Sequence, residues 1–314
     1  MEKLLEIYRN NIFIKKILFI PRIIYDFFMF RVLSDEKYLK IIFYKKLGYK
    51  LDITNPKTLN EKIQWLKLYD RTPLHTLCAD KLLVRDFIKN KIGEEFLVPL
   101  ILHTNSIEKI KPDVLPDFPV IIKTNHDSGN YFIIRNKENQ DWKNIKKILN
   151  KSLKSNYYYS SKEWQYKNIK PCVIVEKLLM RENGKIPFDY KIHCFNGKIQ
   201  IISVDLNRGS DKHCRNWYDG DWRKMPFKWS SMIKGHVTDP SFMEVKKPQQ
   251  LDEMVRYSEI LAKHFCYVRV DWYEVDGKLY FSELTFHHDS GYRPFSPTEW
   301  DLKLGIKLKL PIND

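Results

Sequence analysis

Four polar residues near the C-terminus, Arg269, Asp271, Glu283 and Thr285, have types and spacing suited to phosphate chemistry. They sit in two alternating segments, YVRVDWY and LYFSELT, separated by a stretch containing Asp276-Gly277. Alternating segments around an Asp-Gly turn predict a β-hairpin. A period of two puts Arg269 and Asp271 on one face, and likewise Glu283 and Thr285. Across a tight hairpin, two carboxylates would then stand beside one guanidinium. Paired carboxylates on a rigid sheet can hold Mg²⁺, a hard cation that takes oxygen ligands and shares them with substrate phosphates. A cross-strand ion pair on a solvated face accounts for the same residues, so the metal reading needs a phosphate-binding group upstream.

Such a group is present. Phe118–Thr124 reads as a short apolar strand with Lys123 at its exit. The small polar loop Asn125-His126-Asp127-Ser128-Gly129-Asn130 follows, and then a second strand, Tyr131–Ile134. Backbone amides of such a loop can nest an anion above the lysine, although the loop is not a Walker A sequence. Asp80 precedes an expected helix from Lys81 to Lys89, and Lys81 and Arg85 share one of its faces. Val173–Glu176 reads as a buried strand ending in an acid. Asp189, Lys191 and His193 share a face of a second expected hairpin, turning at Asn196-Gly197. His193-Cys194 lacks zinc spacing, and the adjacent His287 and His288 cannot easily face one metal.

The rest of the chain must position these groups. Its 314 residues are 43% hydrophobic and 14% aromatic, enough to bury a large core and too apolar for disorder. The formal charge of +15 suits nucleic acid, anionic lipid, nucleotide or an acidic glycan without choosing among them. Five scattered cysteines without a CxxC argue against a disulfide framework and fit the cytosol. No run of about 18 apolar residues indicates a membrane span. Ile12 to Leu33 mixes apolar runs with Lys15, Lys16, Arg22 and Arg31 and lacks the small residues of a cleaved signal. It reads as a helix pair broken near Pro21, with peripheral contact at the inner membrane face as the alternative. Leu59–Tyr69 reads as an amphipathic helix with a capping box at Thr58 and Glu61. Leu97–Ile101 reads as a strand, and Pro248–Lys263 as a helix. Between Arg208 and Trp229, basic residues alternate with tryptophans, a composition suited to an acceptor surface.

Taken in order, NPKTLNEKIQWLKLYDR, ADKLLVRDFI, FPVIIKTNHDSGN, VIVEKLL, DYKIHCFNGK and VRVDWYEVDGKLYFSELTFHHDSG resemble the TupA-like ATP-grasp family of polysaccharide-biosynthesis proteins over about residues 50–295. The resemblance implies an α+β ATP-grasp fold, with a nucleotide between two α+β lobes and a helical N-terminal segment before them. The corresponding boundaries are 1–50, 51–116, 117–180 and 181–314. It implies ATP and Mg²⁺ as cofactors. Lys81 and Lys123 look like the two lysines on the phosphates, and Asp127-Ser128-Gly129 like the tip of the covering loop. Glu176 looks like the hinge acid, with Lys177 and Leu178 supplying neighbouring backbone. Asp271 and Glu283 look like the magnesium carboxylates, and Arg269 like the arginine on the transferring phosphoryl group. Thr285 stands where related peptide ligases often have asparagine, so it is a shorter-reaching metal or phosphate ligand.

The resemblance implies a carboxylate–amine ligase acting through an acylphosphate, with an amino acid, uronic acid or glycan as acceptor. Asp189 and Lys191 join Arg269 as catalytic candidates. A glycan kinase is the alternative, with Asp189 as the general base. A non-enzymatic polyanion or nucleic-acid binder explains the charge and leaves Arg269, Asp271 and Glu283 without a purpose, so nucleic acid is disfavoured.

Overall fold

The computed structural model describes residues 19–312 apart from 128, 209 and 234. The chain divides into two units, Met1–Lys50 and Leu51–Asp314. In the first, helix α1 spans Phe19–Phe27, a π-helical turn follows over Phe28–Val32, and α2 spans Asp35–Leu47. Pro21 lies within α1, the residues before Phe19 are outside the described ones, and α1 with its π-helical turn is separated from α2 at Leu33 and Ser34, where the Ser34 hydroxyl caps α2. Ile23, Ile24, Phe27, Phe28 and Val32 are exposed. The part of the expected interfacial segment before residue 19 lies outside the described residues. Among the described residues no helix is long and apolar enough to cross a membrane.

The second unit carries two antiparallel sheets. The smaller orders β1 (Leu100–Thr104), β4 (Val173–Lys177), β2 (Val120–Thr124) and β3 (Tyr131–Ile134) as β1-β4-β2-β3. Helix α6 (Trp142–Leu153) covers it, burying Ile145 and Leu149 against Val120, Ile122, Val173 and Val175. The larger sheet orders as β11-β10-β5-β6-β7. Its strands are β5 (Asp189–Phe195), β6 (Lys198–Leu206), β7 (Cys214–Tyr218), β10 (Tyr267–Val275) and β11 (Lys278–Thr285). A two-residue pair, β8 (Met232–Ile233) with β9 (His236–Val237), stands apart from both sheets.

Both expected hairpins form around left-handed turns. Asp276 and Gly277 have φ of 51° and 75°, and Asn196 and Gly197 have 49° and 79°. Two consecutive positive φ values match the right-handed strand twist, which is why Asn-Gly and Asp-Gly close such hairpins. The register pairs Arg269 with Thr285 and Asp271 with Glu283, and a bulge follows Asp271. β5 and β6 pair likewise through Asp189 and Asp205.

The apolar face of the large sheet packs Tyr190, Ile192, Val268, Val270 and Trp272 against α7 (Leu251–Ala262). α4 (Pro73–Ala79) and α5 (Val84–Lys91) contribute Cys78, Ala79, Val84 and Ile88 to the same core. The helix expected at Lys81 begins only at Val84. Asp80 draws the preceding residues into a turn by accepting from the Leu82 and Leu83 amides. The strand expected at Leu97 begins at Leu100, beyond Pro99, which has no amide hydrogen for a ladder.

A second core joins α3 (Leu59–Tyr69) to α8 (Glu299–Lys307) through Leu59, Ile63, Leu66, Leu304 and Leu308. The Thr58–Glu61 capping box starts α3 as expected. Asn60 reaches Asp301, and Lys62 donates to the Gly305 and Leu308 carbonyls at 2.8 and 2.6 Å. Trp217 and Trp229, expected on an acceptor surface, lie wholly inside this core.

Gly305 is where α8 meets the backbone of residues 57–59. A Cβ there would lie 2.1 Å from the Lys57 carbonyl oxygen and 2.7 Å from the Thr58 carbonyl carbon. The helix-propensity gain of Gly→Ala, about 1 kcal/mol, is small beside a backbone clash that nothing flexible can relieve. Gly305→Ala is therefore expected to lower unfolding free energy by about 2 kcal/mol or more in urea titration. At Gly220 a Cβ would meet nothing within 4 Å. Gly220→Ala is expected to stay within about 0.5 kcal/mol of the wild type or to stabilise slightly.

Candidate active site

The polar face of the large sheet carries charges that the strand alternation selects. Lys191 on β5 is buried, with Nζ 2.5 Å from Asp189 Oδ2 and 2.7 Å from Asp271 Oδ2. Its next carboxylate, Asp205 on β6, is 3.8 Å away. Arg269 on β10 forks onto Asp271, with Nε and Nη2 each 2.6 Å from a carboxylate oxygen. The same Nη2 donates to Glu283 Oε1 at 3.1 Å. Its Nη1 lies 2.8 Å from His288 Nδ1. A guanidinium only donates, so His288 Nδ1 is the acceptor and the ring proton stands on Nε2. Burial first, and then Arg269 and Arg215, push His288 well below the usual histidine range, which agrees with a neutral ring.

This face extends onto β6 and β7. Arg215 forks onto Asp205 at 2.6 and 3.0 Å and reaches the Ser231 hydroxyl at 2.5 Å. Ser231 in turn donates to Asp289. Arg208, just past β6, returns to Asp189 and lies 3.3 Å from the Tyr273 hydroxyl. Burial opposes the Arg269 charge, but Asp271 and Glu283 outweigh it and raise its pKa. Burial likewise works to raise Glu283, yet Lys81, Arg269, Lys191 and Arg208 together hold it down at about 2. Glu283 is thus firmly ionised, with its side chain 37% exposed.

The small sheet supplies a second set of cations. Lys123 Nζ is 2.7 Å from Glu176 Oε2, and Arg85 Nη1 is 3.2 Å from Glu176 Oε1. Lys81 Nζ donates to the Asp127 carbonyl at 2.6 Å, and its own amide donates to the Asn125 carbonyl. Burial lowers the Lys81 pKa, while the Glu283 charge pulls it up and Lys123 pushes it further down. Lys81 is therefore held by the loop of the small sheet while its charge acts on Glu283 of the large one. The Asp127 side chain is tied to Thr124 at 2.5 Å and to Asn130 at 3.1 Å, which shapes the loop. Gly129 at the tip has φ of 94°. Ser128 lies outside the described residues.

The expected positions thus fall into two groups. Arg269, Asp271, Glu283, Thr285, Asp189 and Lys191 share the large-sheet face; Lys81, Lys123, Asp127 and Glu176 meet at the small sheet. The Lys177 and Leu178 amides are already taken by the Pro99 and Pro119 carbonyls. The Thr285 hydroxyl lies 3.3 Å from Glu283 Oε1. Asp189 is held by two cations, Lys191 and Arg208. His193 is buried beside the Tyr267 hydroxyl at 2.9 Å and faces the aromatic core. The second row of Asp205, Arg215, Ser231 and Asp289 was not anticipated. Alternation in IISVDL would have placed Ser203 and Asp205 on the polar face, but the sequence carries no signal that Ser231 and Asp289 meet there.

The donor set fits Mg²⁺. Asp271 and Glu283 oppose each other on adjacent strands and offer hard carboxylate oxygens. Among the described residues no three His, Cys, Asp or Glu side chains gather as a metal cage. Mg²⁺ needs no cage, because it commonly uses one or two carboxylates and completes its shell with phosphates and water.

The model of the family described as TupA-like ATPgrasp matches residues 61–309. No curated protein matches. Among solved structures, D-alanine–D-alanine ligase from Bacillus anthracis is 16% identical with a TM-score of 0.42, over 74% of this chain and 67% of that one. The ATP-grasp ligase PsnB, complexed with a phosphomimetic variant of its minimal precursor, Mg and ADP, is 11% identical with a TM-score of 0.41, over 80% and 65%. L-amino acid ligase from Bacillus licheniformis is 9% identical with a TM-score of 0.42, over 82% and 56%. The chain thus spans only 65% and 56% of the length of the latter two.

The depressed Glu283 pKa yields a signed expectation. A carboxyl held at about 2 against an ordinary 4.5 contributes stability that is present above pH 4.5 and lost as pH falls towards 2. The stability difference between wild type and Glu283→Gln should be constant above about pH 5 and shrink below it. Urea titrations across this range check the sign, and a difference that grew on acidification would contradict it.

Proposed function

We propose, for a chain that belongs to the TupA-like ATP-grasp family of Mg-ATP-dependent enzymes, that it activates a carboxylate with ATP and joins it to an amine. The observation that carries this reading is the pairing of Asp271 with Glu283 under the Arg269 guanidinium, with Lys81 of the phosphate-loop region near enough for its charge to act on Glu283. Lys81, beside the loop of the small sheet, stands within electrostatic reach of the ionised Glu283 on the large one. Lys81 and Lys123 are assigned to the ATP phosphates, exchanging their present Asp127 carbonyl and Glu176 contacts for phosphate oxygens. Glu176 is assigned to the nucleoside side. Glu283 and Asp271, with Thr285 beside them, would hold Mg²⁺, which supplies charge neutralisation on the phosphates.

In this reading the donor carboxylate attacks the γ-phosphorus, ADP leaves, and an acylphosphate forms. The amine then attacks the acyl carbon, releasing inorganic phosphate and a proton as the amide forms. Arg269 presents a planar pair of donors to the transferring group. Lys191 keeps Asp189 and Asp271 from repelling each other while Arg269 changes partners.

The acceptor is assigned to an open pocket of about 390 Å³ lined by Asn207, Lys212, His213, His236, Asp239 and Met243 among others. Lys212 there offers a partner for an acid group on the acceptor, such as that of an amino acid or a uronic-acid glycan, and the lining also carries the carboxylate of Asp239. Of the tryptophans in the acceptor stretch expected from composition, Trp217 and Trp229 are buried and Trp222 is half-buried, while Arg223, Lys224 and Lys228 are exposed. Peripheral attachment at the inner membrane face is proposed on the exposed apolar side chains of α1 and the basic charge, and flotation of the full chain with anionic liposomes tests it.

Product analysis tests the ligase reading. With Mg-ATP and panels of amino acids, uronic acids and glycans, mass spectrometry should find an amide, with one inorganic phosphate and one ADP released per bond. Phosphate retained on a sugar hydroxyl would replace the ligase with a kinase. Nucleotide titration should show weaker binding in Lys123→Ala and Glu283→Ala, and wild-type protein without Mg-ATP affinity would sink both enzymatic readings.

Arg269→Lys separates chemistry from architecture. Lysine keeps the charge and loses the fork on Asp271, so turnover should fall roughly 10²-fold. ATP affinity should change less, because Lys81 and Lys123 remain. Melting should also drop, by the equivalent of about 1–3 kcal/mol for a lost charge-assisted bond. A variant with wild-type melting and near-normal turnover would reject both roles.

A further inference from the structure

The turn after β11, residues 286–291, is held from beneath by α3. Lys67 is wholly buried, and its Nζ lies 2.7 Å from the Ser290 carbonyl, 2.7 Å from Ser290 Oγ and 3.3 Å from the Ser161 carbonyl. Three acceptors thus surround a group that carries three donors. Gln64, one turn earlier on the same helix, donates to the Ser290 and Gly291 carbonyls, each at 2.9 Å. Ser290 Oγ donates to Glu163 Oε1 at 2.8 Å, and Glu163 is held through Oε2 by Gln165 at 3.1 Å.

These contacts maintain an unfavourable backbone. Asp289 and Ser290 are both left-handed, with φ of 45° and 59°. Each such residue costs energy and persists only where its surroundings over-determine it. The strained turn points its other side at the charged sheet face. His288 accepts from Arg269 Nη1 at 2.8 Å, and Asp289 accepts from Ser231 beside Arg215. If the turn relaxed, His288 would leave the guanidinium, and Arg269 would keep only the carboxylates as guides.

We propose that Lys67, with Gln64 and Glu163, is a positioning residue for Arg269, holding the 287–291 turn left-handed so that His288 fixes the guanidinium. The proposal rests on the assignment of Arg269 to phosphoryl transfer. It adds that a helix more than two hundred residues earlier in the chain sets the arginine's aim without touching the nucleotide.

Hydrogen exchange on the full chain without nucleotide tests the positional part independently of any ligase activity. In Lys67→Met, which retains the apolar stem, exchange across residues 286–291 should rise about tenfold or more while β5 and β10 stay protected. Ser290→Ala, which removes only the hydroxyl links to Lys67 and Glu163, should show a smaller rise in the same segment. In both, ADP formation from Mg-ATP should lose turnover, roughly tenfold in Lys67→Met, with the ATP KM within about threefold of wild type. Unchanged exchange in the turn overturns the proposal. So does a rise shared equally by β5 and β10, or loss of the fold in both variants, either of which makes Lys67 a structural residue alone. A rise confined to the turn with undiminished turnover also overturns it. Wild-type protein that forms ADP without an amide would defeat the ligase reading while leaving these comparisons intact.

Discussion

Everything at this site depends on burying alternating charges in one plane. Asp189, Lys191, Asp205, Arg215, Arg269 and Asp271 are all nearly excluded from solvent. An isolated buried ion costs several kcal/mol even after relaxation, and only well-directed partners offset it. The sheet provides them. The strand spacing sets neighbouring side chains close together: the register places Asp205 opposite Asp189 and Asp271 opposite Glu283, and Arg215, Lys191 and Arg269 bridge these carboxylates. Lys191 is the hinge of this lattice, because it alone bridges Asp189 and Asp271, whose other cations, Arg208 and Arg269, each serve one of them.

The lattice explains why the rest of the second unit is arranged as it is. One face of the large sheet must be thoroughly apolar, so α4, α5 and α7 pack against it. The opposite face is closed at one end by Trp217, Trp229 and Phe295 with α3 and α8, which places His193 and His288 against aromatic rings. At the other end it meets the cations of the small sheet. The charged strip therefore lies between an aromatic wall and the cations Lys81, Lys123 and Arg85.

On the proposed reading, the same pairing readies the protein for exchange. Lys123 is held by Glu176, Lys81 by a carbonyl and Arg269 by Asp271, so each cation is oriented before nucleotide arrives. Orientation made in advance lowers the cost of binding and of reaction, since the donors need not reorganise as charge develops.

The sequence by itself determined what local periodicity and turn chemistry control. Both hairpins, their Asn-Gly and Asp-Gly turns, the Thr58–Glu61 cap and the shared face of Arg269 and Asp271 follow from neighbours a few residues apart. The ordered motifs also carried the family. Where local rules competed, the tertiary structure decided: Asp80 turned the expected first turn of α5 into a loop, and Pro99 delayed β1. Trp217 and Trp229 looked like part of a surface because composition does not report which side a strand or loop presents. Glu176 with Arg85, Ser231 with Asp289, and Lys67 with Ser290 join residues 91, 58 and 223 positions apart. No spacing rule links such pairs, because they meet only when helices and sheets have packed, and burial then makes each polar group find a partner.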